Sequence, residues 1–507
     1  MATETNIFID MRPFVRSVAI ITVFAVLTRA LGFLFRIFLA RILGDEMLGV
    51  YQIAMTFFMV FLTLVASGLP LSISKQVATN KTQGVIVAGL VISLTVSVVA
   101  CLFVWLGSAL FAPLFTDRRC IAILITLVPS LIAASVYGVV RAFWWGEKRY
   151  FLLGITELME QILRVGVFIA MLAFTFVLTD MAKVAALSYT VAVFIAAAVC
   201  AVIFVRARRI PQTVVRDNQY KSLLKSATPI TSVRVLTSLT MPIVTILITN
   251  RLIATGGWDT AAVVAAFGVL VGMTLPLLSI PQTVISSLST ALVPELSSAH
   301  NEQKREAVGN QISTALKFTL FITFALVPIY MAIGQGIGVF VFDNVSAGVY
   351  LAQFAWAMIP MSLALLTNAI LNSLNAETRA MKNYMVGAVF LFLCVWFMPQ
   401  YVGMGAIVLG MGGCMAIASI LNLCLISRLA GIEAVKSVVG VCCAFVCIAV
   451  PCAIWGWFLW GVLGHILGIF GALLVCGGAI LGAFLYLCHV FELVHIDTIR
   501  VAIRRRD

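Results

Sequence analysis

The chain has 507 residues, 62% of them hydrophobic and only 10% charged, with a formal net charge of +13 and a mean hydropathy of +1.12. A soluble domain carries roughly 25% charged residues, so this composition excludes a protein whose surface faces water throughout. Its apolar runs are also far longer than the roughly 10-residue alternating segments of an outer-membrane barrel, which excludes that architecture.

An all-α polytopic membrane protein remains, because a helix satisfies its backbone polar groups within the segment itself. Apolar windows near the roughly 20 residues needed to cross a bilayer recur from Val18 to His489. Six spans are expected near 17–40, 48–72, 84–112, 121–143, 151–178 and 184–205. Six more follow near 226–250, 260–290, 312–340, 348–374, 384–402 and 404–427, and two last ones near 437–461 and 464–489, fourteen in all. The first run begins after Arg16, contains Arg29 and Arg36 and has no small-residue cleavage site behind it, so it reads as a membrane helix and not a signal peptide. A Gly-rich turn at Gly403 and Gly405 separates spans 11 and 12.

This spacing predicts an N-lobe at 1–205, a basic cytoplasmic connector at 206–225 and a C-lobe at 226–430. Spans 13 and 14 occupy 431–490, and a basic amphipathic tail at 491–507 is expected on the inner membrane surface. Of the 33 Lys and Arg, twenty-three fall at the termini and in the even-numbered loops, against five in the odd-numbered loops. The positive-inside rule then puts both termini in the cytoplasm. The same asymmetry accounts for the net charge without nucleic acid as a partner.

An internal repeat is also expected. Span 2 ends in Ala66-Ser-Gly-Leu-Pro-Leu-Ser-Ile-Ser-Lys75, and span 8 ends in Ser287-Leu-Ser-Thr-Ala-Leu-Val-Pro-Glu-Leu-Ser-Ser298. Spans 1 and 7 each carry an arginine, Arg29 and Arg234. An offset of six spans makes the halves parallel repeats about an axis normal to the membrane.

The twelve cysteines include no Cys-x-x-Cys pair, and the four histidines form no His-Glu-x-x-His pattern. The thiols read as small hydrophobes, with no metal site and no cofactor expected. There is no Gly-x-x-x-x-Gly-Lys-Ser/Thr loop and no plausible nucleophile–base–acid set, so an enzyme is not expected.

Charges inside the spans carry the functional signal. An arginine at a helix centre costs about 2.5–3.5 kcal/mol on insertion scales, so it should face a cavity or a partner. Arg29 and Arg36 are seven residues apart and share one helical face, with Gly32 between them. That stripe leaves room for an anion to approach the backbone. The alternatives are pairing with acids on a neighbouring span, or Arg36 extending outward toward Arg41. Glu157, Glu160 and Arg164 form another stripe, and Glu160 stands four residues before Arg164 in the favourable order for a structural pair. The competing reading is a cation or proton site that couples transport, with Glu157 as the spare carboxylate. Arg234, among Thr231, Ser232, Thr237 and Ser238, suits a cavity wall; Lys75 suits a cavity mouth or an interface anchor, and Lys317 an anchor.

Several stretches together resemble the multidrug/oligosaccharidyl-lipid/polysaccharide (MOP) exporter superfamily, and within it the branch of stage V sporulation protein B and MurJ-like flippases. They are Thr28-Arg-Ala-Leu-Gly-Phe-Leu-Phe-Arg-Ile-Phe-Leu-Ala-Arg-Ile-Leu-Gly44, Leu48-Gly-Val-Tyr-Gln-Ile-Ala54 and Ser67-Gly-Leu-Pro-Leu-Ser-Ile-Ser-Lys75. Phe267-Gly-Val-Leu-Val-Gly-Met-Thr-Leu-Pro-Leu-Leu278, Ser289-Thr-Ala-Leu-Val-Pro-Glu-Leu-Ser297 and Asn368-Ala-Ile-Leu-Asn-Ser-Leu374 complete the set. The resemblance implies two six-helix lobes around a central cavity plus two C-terminal helices. It implies a monomer in the bacterial cytoplasmic membrane that carries an undecaprenyl-pyrophosphate-linked oligosaccharide, such as lipid II, outward by alternating access. Cavity arginines would grip the pyrophosphate: Arg29 falls on such a position, Arg36 stands one place off the family's second arginine in that span, and Arg234 rests on the physical argument. A coupling ion, Na⁺ or H⁺, is left open. The rival readings are a cation-coupled drug exporter of the multidrug and toxin extrusion (MATE) kind and a non-transporting scaffold for cell-wall or spore assembly.

Overall fold

The computed structural model describes residues 12–79, 84–174, 180–207, 217–301, 305–374, 376–430, 434–464 and 466–491. The tail at 492–507, part of the connector (208–216) and the first eleven residues lie outside them. Among the described residues every expected span is helical, as residues so apolar must be where no water can take their backbone hydrogen bonds. Twelve stretches are long and apolar enough to cross a membrane. The first, Val23–Ala78, is 56 residues long and turns at Gly44, whose φ of 68° and ψ of 179° break the helix, so it accommodates two of the expected crossings. A further 25-residue helix over span 5 stands outside the twelve, because its three charges, Glu157, Glu160 and Arg164, lower its apolarity.

The chain forms two compact units. Unit 1 comprises Met1–Thr249 and Thr260–Gly268. Its helices are α1 (Arg12–Ala66), α2 (Gly68–Ala78), α3 (Val85–Leu106), α4 (Arg119–Leu127), α5 (Ser130–Gly146), α6 (Tyr150–Phe174), α7 (Met181–Ala207), α8 (Asp217–Ser238), most of α9 (Thr240–Gly256) and α10 (Thr260–Phe267). Within unit 1, α8 packs on α2 and α10 packs on α1. Glycines permit both approaches. A Cβ on Gly49 of α1 would stand 1.9 Å from the Val264 carbonyl oxygen of α10, and one on Gly68 would stand 2.2 Å from Thr231 Oγ1 of α8. In lipid no hydrophobic force drives one apolar helix onto another, so such close approaches are what hold them.

Unit 2 comprises Asn250–Asp259 and Val269–Asp507. It includes α11 (Ile280–Asn301), α12 (Arg305–Phe342), α13 (Val345–Phe354), α14 (Met358–Ser373), α15 (Glu377–Phe397), α16 (Ala406–Ala430), α17 (Ala434–Leu463) and α18 (Gly468–Val490). The turn expected before α16 is present, with Gly403 at φ 59°. Phe445 of α17 sits between Phe324 of α12 and Phe484 of α18, with ring centroids 5.6 and 6.0 Å away. Fully buried Asn422 of α16 accepts from Asn383 Nδ2 of α15 at 2.8 Å. It donates to Asn368 Oδ1 and Thr367 Oγ1 of α14 at 2.9 and 3.2 Å, so one amide ties three spans. All twelve cysteines are free thiols, and seven of them are buried.

Outside the spans of unit 1, Arg119 donates to both Asp117 oxygens, at 2.7–2.9 Å, and to Glu46 of α1. Burial pushes the Asp117 carboxyl up, but the hydrogen bonds and charge of Arg119 outweigh it and hold the group below the usual carboxylate range. The lowered group stabilises the fold above its unfolded value of about 3.9, and that contribution is lost as pH falls through the folded value. Thermal unfolding of the detergent-solubilised protein across pH 3–6 (about the range where the carboxyl titrates) is expected to show a drop at the acid end that Asp117→Asn flattens. Gly49→Val places atoms inside α10 and is expected to destabilise by at least about 1–3 kcal/mol, read as a lower unfolding midpoint.

Candidate functional site

The candidate residues divide by helix. Parallel packing of α1 and α6 sets the register: Phe24 meets Phe151 and Phe35 meets Phe168, each with centroids 5.6 Å apart. Between those contacts the Gln161 carboxamide covers Gly32, its Nε2 3.4 Å from where a Cβ would stand. The gap expected at Gly32 is thus not bare backbone. An amide that is 8% exposed occupies it. The register places Arg29 at the level of Glu157 and Glu160, and Arg36 at the level of Arg164. Both Arg29 and Arg36 are exposed. Arg36 lies close enough to Tyr51 and Arg164 to interact with both electrostatically.

On α6, Arg164 Nη2 donates to Glu160 Oε1 at 2.6 Å, one turn back. Its guanidinium lies over the Tyr189 ring of α7, 4.7 Å from the centroid, an added attraction for a desolvated cation. Glu157 is not a spare carboxylate: it accepts from Arg141 Nη2 of α5 at 2.8 Å. Arg141 in turn lies over Tyr137, 5.1 Å from the ring centroid. Each guanidinium keeps one buried atom without a hydrogen bond, Nε of Arg141 and Nε of Arg164. Unit 1 thus holds two arginine–carboxylate pairs, and each of these two guanidiniums keeps a donor beyond its pair, a chemistry that suits an anion with several acceptor oxygens.

Arg234 and Lys75 stand elsewhere in unit 1. Both are exposed, on α8 and α2, and neither forms a salt bridge among the described residues. The two helices run antiparallel, because Gly68 faces Thr231 while Gln76 Nε2 donates to Ser222 Oγ at 3.3 Å. Lys75 and Arg234 therefore differ in depth by roughly 15 Å at 1.5 Å per residue. Among the described residues no three His, Cys, Asp or Glu side chains come together as metal ligands.

Sequence reasoning singled out neither Arg141 nor Gln161. The second carried a signal, a carboxamide in an apolar span beside Glu160. The Arg141–Glu157 pair carried none, because its members sit on different helices.

This helical bundle has a fold known from solved membrane transporters. It shares its fold with the lipid II flippase MurJ in an inward closed conformation (TM-score 0.70, 12% identity, 94% of this chain and 99% of that one). It shares it also with an inward-facing multidrug resistance MATE family transporter of the MOP superfamily (TM-score 0.62, 16% identity, 81% and 95%). The chain belongs to the polysaccharide biosynthesis protein family, which matches residues 14–300. It is 25% identical over 392 residues to stage V sporulation protein B of Bacillus subtilis (strain 168), covering 74% of this chain and 76% of that protein. Of these, the two solved structures are a flippase and a transporter.

Glu160→Gln leaves the Arg164 charge half-buried and uncompensated. It is expected to lower stability by about 1–3 kcal/mol, between the exposed and buried limits for ion pairs. Replacing both residues by Met should recover most of the lost unfolding midpoint; no recovery would show that the pair does not act as a unit.

Proposed function

We propose that the protein is a flippase for an undecaprenyl-pyrophosphate-linked cell-wall precursor, lipid II or a polysaccharide repeat unit. It moves this lipid-linked oligosaccharide outward across the bacterial cytoplasmic membrane by alternating access, as a monomer with both termini in the cytoplasm. The observation that supports it is the unbonded Nε that Arg141 and Arg164 each keep beyond their ion pairs in unit 1. Guanidinium forks match phosphate oxygens bidentately, and both carboxylates that might repel an anion there are already held by Arg141 and Arg164. Arg29, Arg36 and Arg234 bind the pyrophosphate in this reading, Lys75 guides it, and Gln161 over Gly32 adds a donor.

The MATE likeness favours a second reading, cation-coupled drug export. A cationic cargo needs free acids, and the engaged state of Glu157 and Glu160 weighs against it. Coupling to Na⁺ or H⁺ is compatible with either.

Complementation of a strain depleted of its lipid II flippase tests the assignment. Wild type is expected to restore growth, while Arg29→Ala and Arg234→Ala lose about tenfold or more of the rescue, the scale of one lost charge-assisted contact of roughly 1.4–3 kcal/mol. Equal rescue by all three would remove the arginine mechanism. No rescue by wild type would shift the cargo to another polysaccharide unit.

A further inference from the structure

Unit 1 holds a pocket of about 500 Å³ that the charged cluster does not use. Its walls come from three directions: Leu64 and Leu69 near the α1–α2 junction, Ile92 and Val96 of α3, and Val235 and Leu236 of α8. The pocket exists because of Gly68. There α8 touches α2 at backbone distance, and beyond that contact the apolar side chains of α1, α3 and α8 leave a slot. Most of the lining is hydrocarbon. One of its hydroxyls, Thr228, is spent on the Leu224 carbonyl at 2.7 Å and leaves its methyl to the slot. Leu64 is 38% and Leu236 53% exposed, so the slot is open along one side. Its size lies within the roughly 300–1,000 Å³ of small-molecule sites.

The charge around the slot has one sign. Arg234 stands two turns after Ala227, a lining residue, and so on the same line of α8 at the slot's edge. Lys225 is exposed one residue beyond Leu224, another lining residue. Neither α2 nor α3 contains an acid, and α8 has only Asp217 at its far end. Among the described residues Arg234 and Lys225 form no salt bridge. A hydrocarbon slot edged by uncompensated cations complements a lipid with an apolar chain and an anionic head.

We propose that this slot seats the first isoprene units of the cargo lipid while Arg234 holds its phosphate. The inference rests on the flippase reading and adds where the chain lies. It makes Arg234 part of a chain-and-head site on α8, a different helix from the one that carries Arg29 and Arg36.

The test uses the full-length protein in phosphatidylcholine nanodiscs, with farnesyl pyrophosphate and inorganic pyrophosphate as probes. Wild type is expected to bind the farnesyl compound about tenfold or more tightly than pyrophosphate. Ser232→Trp and Leu64→Trp, two exposed positions on opposite walls, fill the slot and should each erase that preference while leaving pyrophosphate binding unchanged. Arg234→Gln should weaken both probes. If the preference survives both Trp variants, or phosphatidylglycerol displaces farnesyl pyrophosphate at equal concentration, the slot is an ordinary lipid crevice and the inference fails. Wild-type complementation alongside that result would leave the flippase reading standing. Absence of both prenyl binding and complementation would remove the two together.

Discussion

An arginine in hydrocarbon needs a partner, and unit 1 is arranged around that requirement. Arg164 meets it with a carboxylate one turn back and an aromatic face on the next helix. Arg141 meets it with a carboxylate from α6 and an aromatic face on its own helix. The two solutions lock α5, α6 and α7 together, and the parallel contact of α1 with α6 brings Arg29 and Arg36 to the same levels. A charge at membrane depth is expensive, and these ion pairs are how Arg141 and Arg164 are accommodated.

Unit 2 solves the problem of cohesion in lipid with neutral groups. Its Asn422 hub joins three helices through amides, which carry no desolvation penalty of the size a charge would incur. Interhelical hydrogen bonds of this kind contribute about 0.6–2 kcal/mol each. In unit 1 the corresponding cohesion comes from Gly49 and Gly68, where missing side chains let backbones meet. Unit 2 uses such approaches as well: a Cβ on Gly338 would stand 2.3 Å from Gly348 N, and one on Gly387 2.4 Å from the Cys414 carbonyl oxygen.

The fold by itself does not settle the cargo. The same arrangement of helices is found in a lipid II flippase and in a multidrug transporter, as expected where function resides in sites set on a shared scaffold. What separates the readings is the sign and availability of the interior charges. Acids that are already bound to arginines are poor hosts for a cationic drug, whereas arginines with donors to spare suit a pyrophosphate.

Much of this could be read without coordinates. Helical spans follow from apolar length, because an unsatisfied backbone cannot persist in lipid. The Arg29–Gly32–Arg36 stripe follows from a seven-residue spacing, and the Glu160–Arg164 contact from a four-residue one, since both are properties of a single helix. Relations between helices were not legible. That Gln161 fills the space beside Gly32, that Glu157 belongs to Arg141, and that α8 packs on α2 all depend on which faces pack together. The slot beside Arg234 depends on it too, because it is a space left between three helices and no one segment encodes it. Periodicity along one helix specifies which residues share a face; only tertiary packing determines what that face meets.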